Sequence, residues 1–470
     1  MSKLENNSIP VNIADSIINE LPKELFIDPS KKFCYASIVD DYIIRKLYDK
    51  LNEGLKDIIV DEDERKRHIL DNMIYGISLS NARTRLVKAR SIIKNIYTKN
   101  ILEDDISDMP KFDFIIQNPP YNKSLHLDFF NKGLDLLSDT GKMVIIEPST
   151  WLIELRQNFA EKKSSQMKKY IALKERIKGH VSKVIIENFN IEFRTDNYMP
   201  FAITYIDKSK EYKQIEYLNC GIVKYVNSLY DCNLIGDIEI IKSIFEKIKN
   251  YDVVNNHIYI PSKSEKIEGY YYCKIAGIIS GSGSQLCAVF DPLRSSLSSN
   301  ELNNIAKNIN FNDDSNIMFE NNGIRKHLQV YSTTLFHRYK NDISQVPLHK
   351  YDRGKHETDK EAECVTGTKQ ELENWKHYVF NNSLPLFINI CLTIDQHNNS
   401  LTYIPWLVDK KYTDKDIYEM FGFINEEIKL IETTIKKYER YSPWFKRYMC
   451  GPSSVSDEEV QKFINELENA

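Results

Sequence analysis

The stretch "FDFIIQNPPYNKS", residues 112–124, ends an apolar run on Asn118, Pro119, Pro120 and Tyr121. Proline fixes φ near −65° and drives the residue before it to extended geometry, so the Asn118 amide and the carbonyls that follow lose most of their freedom. A fixed amide oxygen and a fixed backbone carbonyl can together accept the two N–H bonds of a planar amino group. They draw it toward tetrahedral geometry and free its lone pair for attack. Tyr121 adds a flat face on which a base flipped from a duplex can stack. Read without that chemistry, the quartet is a turn with Tyr121 half buried under the next helix.

Such a quartet needs a platform. "KFDFIIQ" reads as a buried strand, and so do "MIYGISLS" before it and "GKMVIIEP" after it. Between them, "NARTRLVKARSIIKN", with Leu86, Val87, Ala89 and Ile93 inward, and "LHLDFFNKGLDLLSD" read as helices. "VNIADSIINEL" places Val11, Ile13, Ile17, Ile18 and Leu21 on one helical stripe closed by Pro22, and "FCYAS" forms a short strand ahead of the helix "DDYIIRKLYDKLNEGL". Strands alternating with helices at this spacing give parallel βαβ units and a doubly wound α/β sheet, with its ligand crevice beyond the strands' carboxyl ends. Asn118 stands at such an end.

Past residue 180, "VSKVIIENFNIEFRTDNYMPFAITYIDKS" reads as strands with a hairpin near "RTDN", expected to close the sheet edge. "NLIGDIEIIKSIFEKIKNY" is a junction helix, and the chain beyond about residue 250 has no βαβ order until the helical "DKDIYEMFGFINEEIKLIETTIKKYERY". We therefore expect a catalytic domain over 1–235 and a mixed α+β domain with C-terminal helices over 236–470.

Composition sets the remaining bounds. A chain of 470 residues with 42% hydrophobic and 28% charged residues can build more than one core. Eight cysteines never occur as Cys-x-x-Cys or with a His at zinc spacing, which points to reduced thiols and a cytoplasmic protein. No apolar run approaches the roughly 20 residues needed to cross a bilayer, so no membrane partner is expected. A net charge of −4 conceals local excess: Arg156 to Lys183 carries seven Lys and two Arg against two acids, and Leu79 to Ile101 carries six basic residues and no acid. These are either solvated helix faces or phosphate contacts.

The Asn118–Tyr121 quartet resembles the Asn-Pro-Pro-Tyr motif of amino-group methyltransferases that use S-adenosylmethionine, and more closely that of the adenine-specific DNA methyltransferases of the type II and IIG restriction-modification class. "IPVNIADSIINELP" resembles their helix over the cofactor, and "NMIYGISLSNARTRLVKAR" their second strand and helix. "GKMVIIEPSTWL" resembles the strand after the catalytic one, and "YIPWLVDKKYTDKDIYEMFGFINEEIKLIE" a pattern near the C-terminus of some members. The resemblance implies a Rossmann-like methyltransferase sheet followed by a target-recognition domain. It also implies S-adenosylmethionine as cofactor, double-stranded DNA as partner, and a restriction endonuclease as a separate protein. Asn118 and the Pro119 carbonyl, with Pro120 fixing the turn, would orient the amine, and Tyr121 would stack on the base.

The family's glycine loop after the first strand is matched here by "CYASIVDD": Tyr35 stands where an acid would be, and Val39 and Asp41 where glycines would be. The cofactor residues implied are Tyr35, Ser37, Asp40 or Asp41 for the methionine amino group, Ser78 or its neighbour Ile77 at the ribose-binding position, and Asp104 or Asp105 for the adenine. DNA contacts are expected from Lys123, Arg156, Lys162, Lys163 and Arg338, the last within "HRYKND", which is otherwise an exposed turn. Three readings stand side by side. One is an active enzyme with a divergent loop. Another is a DNA-binding or counter-restriction protein that has lost the cofactor. The third has a permuted order with the cofactor loop at "GIISGSGSQL", around Gly277, Gly281 and Gly283. Methylation of a protein glutamine or of RNA shares the amine chemistry. His126 is expected as a structural histidine and Trp406 as core.

Overall fold

The structure, a computed structural model, describes residues 9–38, 41–91, 93–121, 124–160, 162–187, 200–259, 271–274, 285–290, 326–331, 364–367, 369–392, 403–438, 442–450 and 454–469. It divides into two compact units, one formed by Met1–Ile153, Ala160–Cys232 and Arg447–Asp457, the other by Glu154–Phe159, Asn233–Lys446 and Glu458–Ala470.

The first unit is built on a nine-stranded sheet. Its strands are β1 (Phe33–Ala36), β2 (Ile74–Ser78), β3 (Ile96–Thr98), β4 (Phe112–Gln117), β5 (Leu137–Pro148), β6 (Val181–Glu187), β7 (Phe201–Asp207), β8 (Ile215–Asn219) and β9 (Ile222–Val226), in the order β3-β2-β1-β4-β5-β7-β6-β8-β9. The first five run parallel, and β7 runs antiparallel to both its neighbours, β5 and β6. This is a doubly wound, Rossmann-like sheet. Strand order reverses between β1 and β4, so the switch-point crevice opens beside Ala36 and Gln117, which are partners in register.

Helices pack on both faces because their apolar stripes require it. In α1 (Val11–Glu20), Ile13, Ala14, Ile17 and Ile18 are buried, whereas Val11, expected on that stripe, is 55% exposed. The buried stripe begins at Ile13, two residues later than the spacing suggested. The helix α2 (Tyr42–Gly54) follows β1 and buries Ile43, Ile44, Leu47 and Leu51. After β2 comes α4 (Asn81–Ser91), preceded in the chain by α3 (Glu62–His68), whose cap is Asp61. The helix α5 (Leu125–Leu136) joins β4 to β5, and α8 (Ser165–Arg176) follows two single-turn helices, α6 (Thr150–Ile153) and α7 (Arg156–Phe159). Side chains of β4 from Phe114 to Gln117 are buried without alternation, as for a strand covered on both faces.

The β6–β7 pair does not close the sheet as expected. β7 sits inside, between β5 and β6, and the edge is the unanticipated hairpin β8–β9. Its two-residue turn has φ of +50° at Cys220 and +83° at Gly221, the double positive that a type I′ turn demands.

The second unit carries the antiparallel strands β10 (Ile258–Tyr259), β11 (Tyr271–Lys274), β12 (Gln285–Phe290), β13 (Lys326–Tyr331) and β14 (Cys364–Gly367), in the order β10-β14-β11-β12-β13. Its helices include α9 (Ile238–Ile248), α10 (Lys369–Asn381), α11 (Ser383–Leu392), α12 (Asp414–Phe421) and α13 (Asn425–Lys437). Thr413 and Asp416 form a capping box on α12, and Gly422 at φ +61° ends it. Buried Glu427 accepts from Ser243 Oγ and Lys247 Nζ, both at 2.6 Å, tying α13 to α9. Trp406, expected as core, is only half-buried and stacks on His257 with ring centres 4.4 Å apart. Among the described residues no helix is long and apolar enough to cross a membrane.

Candidate functional site

Where β4 ends, Gln117 is fully buried and donates through Nε2 to the Phe129 carbonyl of α5 at 3.3 Å. Asn118 follows at 1% exposure, and Pro119 and Pro120 are buried. Tyr121 is half-buried, packing on the core that includes Ile13, Ile17, Tyr35 and Ile116. Its ring centre lies 5.5 Å from that of Phe201, tilted by 55°, and its hydroxyl donates to Asn118 Oδ1. Phe201 starts β7 opposite Pro148 of β5, so the inserted reversed strand brings this aromatic to the quartet. Burial, with Glu147 and Tyr35 nearby, holds the Tyr121 phenol well above its usual range, so it stays a neutral donor.

Two buried titratable groups flank this corner. Glu147 on β5 has no exposure, and neither carboxyl oxygen meets a partner at regular hydrogen-bond geometry; the Trp151 indole faces it. Desolvation raises its pKa well above 4.5, favouring the protonated form. It was passed over in the sequence, where its one signal is a lone acid in the apolar "GKMVIIEP". His126 on α5 is 5% exposed and lies against the Tyr121 backbone, and burial pushes it down to about 4. It is a neutral structural histidine.

On the β1 side, Tyr35 is fully buried between Gly76 of β2 and Ile116 of β4. Ser37 adopts φ +77°, the left-handed conformation that glycine normally supplies. Ile38 donates its N–H to the Ile77 carbonyl at 2.8 Å and lies so close over β2 that a Cβ on Gly76 would stand 2.0 Å from Ile38 Cδ1. Asp41 is bonded by Arg45 just ahead of α2, whose first turn has no side-chain cap. Ser78 is fully buried, its hydroxyl closing a turn with the Ser80 N–H at 3.2 Å. Asp104 and Asp105 are exposed beyond β3, the former accepting from Asn100 N at 2.6 Å and the latter from Ser107 N at 2.9 Å.

These residues fit one end of S-adenosylmethionine and not the other. The open first turn of α2 beside Asp41 suits an amino-acid moiety. The end of β2 does not suit a ribose diol, because it offers the engaged hydroxyl of Ser78 and no carboxylate, with Ile38 seated alongside. Asp40, Lys123, Arg338, the "RTDN" segment and the glycines of "GIISGSGSQL" (Gly277, Gly281 and Gly283) lie outside the described residues.

The basic stretch is largely neutralised from within. Arg156, in the second unit, donates Nε to Glu154 Oε1 at 2.6 Å. Lys169 pairs with Asp128 at 3.2 Å and Arg176 with Asp135 at 2.6 Å, both acids lying on α5. Lys174 is 2% exposed and donates to the Leu152 carbonyl at 2.8 Å. Lys162 is exposed, and Lys163 is half-buried, with burial lowering its pKa. The structure thus gathers Asn118–Tyr121, Tyr35, Ser37, Asp41 and Ser78 at the carboxyl ends of adjacent strands, with Asp104 and Asp105 following the carboxyl end of β3 and Arg156 in the second unit.

No protein-family model matches the chain, and none of the curated proteins does. Solved structures similar to it include the type I restriction enzyme EcoKI M protein, at 12% identity over 45% of this chain and 49% of that one, TM-score 0.35. The type I restriction-modification methyltransferase subunit from Streptococcus thermophilus shares 16% identity over 51% of this chain and 52% of its own, TM-score 0.32. An S-adenosylmethionine-dependent O-methyltransferase from Thermotoga maritima shares 8% over 44% and 69%, TM-score 0.26. The chain spans about half the length of the two restriction-modification proteins.

Proposed function

We propose that the protein is a DNA methyltransferase that acts on the exocyclic amine of adenine after base flipping, with S-adenosylmethionine as methyl donor. The observation that carries this reading is the placement of Asn118–Tyr121 at the carboxyl end of β4, at the switch point of a doubly wound, Rossmann-like sheet. Asn118 Oδ1 and the Pro119 carbonyl accept the two amine hydrogens and hold the nitrogen lone pair toward the crevice. The prolines keep that pair from relaxing. Tyr121, beside Phe201, supplies the aromatic face for the base. The amine proton leaves to water, since His126 is neutral and turned into the core. The donor supplies an electrophilic methyl group, and no residue here substitutes for it. Exposed Lys162, and exposed Arg85 and Lys88 on α4, support phosphate contacts, with binding that weakens steeply with salt.

A second reading, a DNA-binding or counter-restriction protein without methyl transfer, is favoured by Ile38 over Gly76 and by the engaged Ser78 hydroxyl. Calorimetric titration with S-adenosylmethionine, with and without duplex DNA, separates the two. Binding supports the enzyme, and no heat under either condition leaves the DNA-binding protein.

A further inference from the structure

The Tyr121 hydroxyl sits on the acceptor that the substrate amine requires. Asn118 is 1% exposed, so its carboxamide oxygen is reached from few directions, and one of them is taken by the Tyr121 O–H. The same ring is held by Phe201 at 5.5 Å and by the core beneath it. The two groups assigned to the base, one for its amine and one for its ring, therefore hold each other.

Resting on the function proposed above, we propose that the Tyr121 hydroxyl is an internal competitor for the Asn118 acceptor: an incoming amino group must displace it before Asn118 Oδ1 can hold the base. An edge with no donor at the equivalent position, as in purine, leaves the Tyr121 contact in place. An amino-bearing edge replaces one hydrogen bond by another and releases the ring for stacking. The phenol is kept neutral by its burial, so the competition persists across the working pH range.

The test uses the full-length protein and its Tyr121→Phe variant, which keeps the ring and removes the donor. The probes are short single-stranded oligodeoxyadenylate and the same oligomer with purine, which lacks the exocyclic amine. Tyr121→Phe should bind oligodeoxyadenylate about fivefold more tightly than the native protein, the loss of one competing hydrogen bond, with no change for the purine oligomer. Equal or weaker adenine binding by the variant overturns the proposal. In the free proteins, the Asn118 carboxamide resonance in NMR spectra should move on Tyr121→Phe. An unmoved resonance overturns the contact itself, whether or not DNA is bound. If neither protein binds either oligomer, the DNA function fails while that resonance still decides the Tyr121–Asn118 contact.

Discussion

Ile38 covers Gly76 so closely that β2 has no room for a side chain there: an added Cβ would stand 2.0 Å from Ile38 Cδ1. The residue after β1 that would line a donor crevice is instead buried core, at 1% exposure. Gly76→Ala should therefore cost about 1–3 kcal/mol of unfolding free energy by overpacking. Adding Ile38→Ala should recover part of that loss, as read from denaturant midpoints. If Gly76→Ala melts like the native protein, the close approach is not there.

Ser37 bears a left-handed φ of +77° that a side chain makes costly. Ser37→Gly should raise stability by about 1 kcal/mol, and Ser37→Val should lower it by at least as much. Both are read by thermal melting at fixed pH, and opposite signs would refute the assigned backbone.

His126 titrates near 6.5 when unfolded and is pushed down to about 4 in the fold by burial. The unfolded state then binds more protons between those values, so this group's contribution is intact above pH 6.5 and is lost as pH falls through 4. The size of that loss is about 3 kcal/mol. His126→Gln should flatten this part of the stability profile relative to the native protein.

Glu147 has the opposite sign. Its folded value is raised by burial, so its contribution is complete below about 4.5 and is lost as pH rises through the folded value. Glu147→Gln keeps the shape and removes the ionisation. The variant should gain stability over the native protein as pH rises above about 4.5, and match it below. A constant difference across pH would show that the carboxyl is not held neutral.

Much of the platform was legible because buried strands and amphipathic helices carry their periods locally. β2, β4 and α2 fall where the apolar runs and their punctuation place them, whereas β5 begins at Leu137, within the run read as the end of α5. What was not legible depends on partners distant in sequence. β7 enters between β5 and β6 through pairings some sixty residues apart, such as Ile145 with Thr204. The β8–β9 hairpin was missed because Cys220, with φ +50°, is not a residue that announces a turn, although Gly221 beside it is. The basic stretch read as open charge, yet Asp128 and Asp135 reach Lys169 and Arg176 from α5. In the site, the quartet and its place at a strand end came from local chemistry, whereas the Tyr121–Asn118 contact and the burial of Glu147 required three dimensions.

The most direct test of methyl transfer needs no knowledge of the recognition sequence. Genomic DNA from cells that lack other adenine methylation and express the native protein or Asn118→Ala is digested to nucleosides, and N6-methyladenine is measured by mass spectrometry. Native protein should methylate adenine, and Asn118→Ala should lower the level by about a hundredfold or more, the loss typical of a preorganised acceptor or donor. Folded native protein that leaves no N6-methyladenine, or an alanine variant that methylates equally well, would contradict the assignment of Asn118 as the amine acceptor of a methyltransferase.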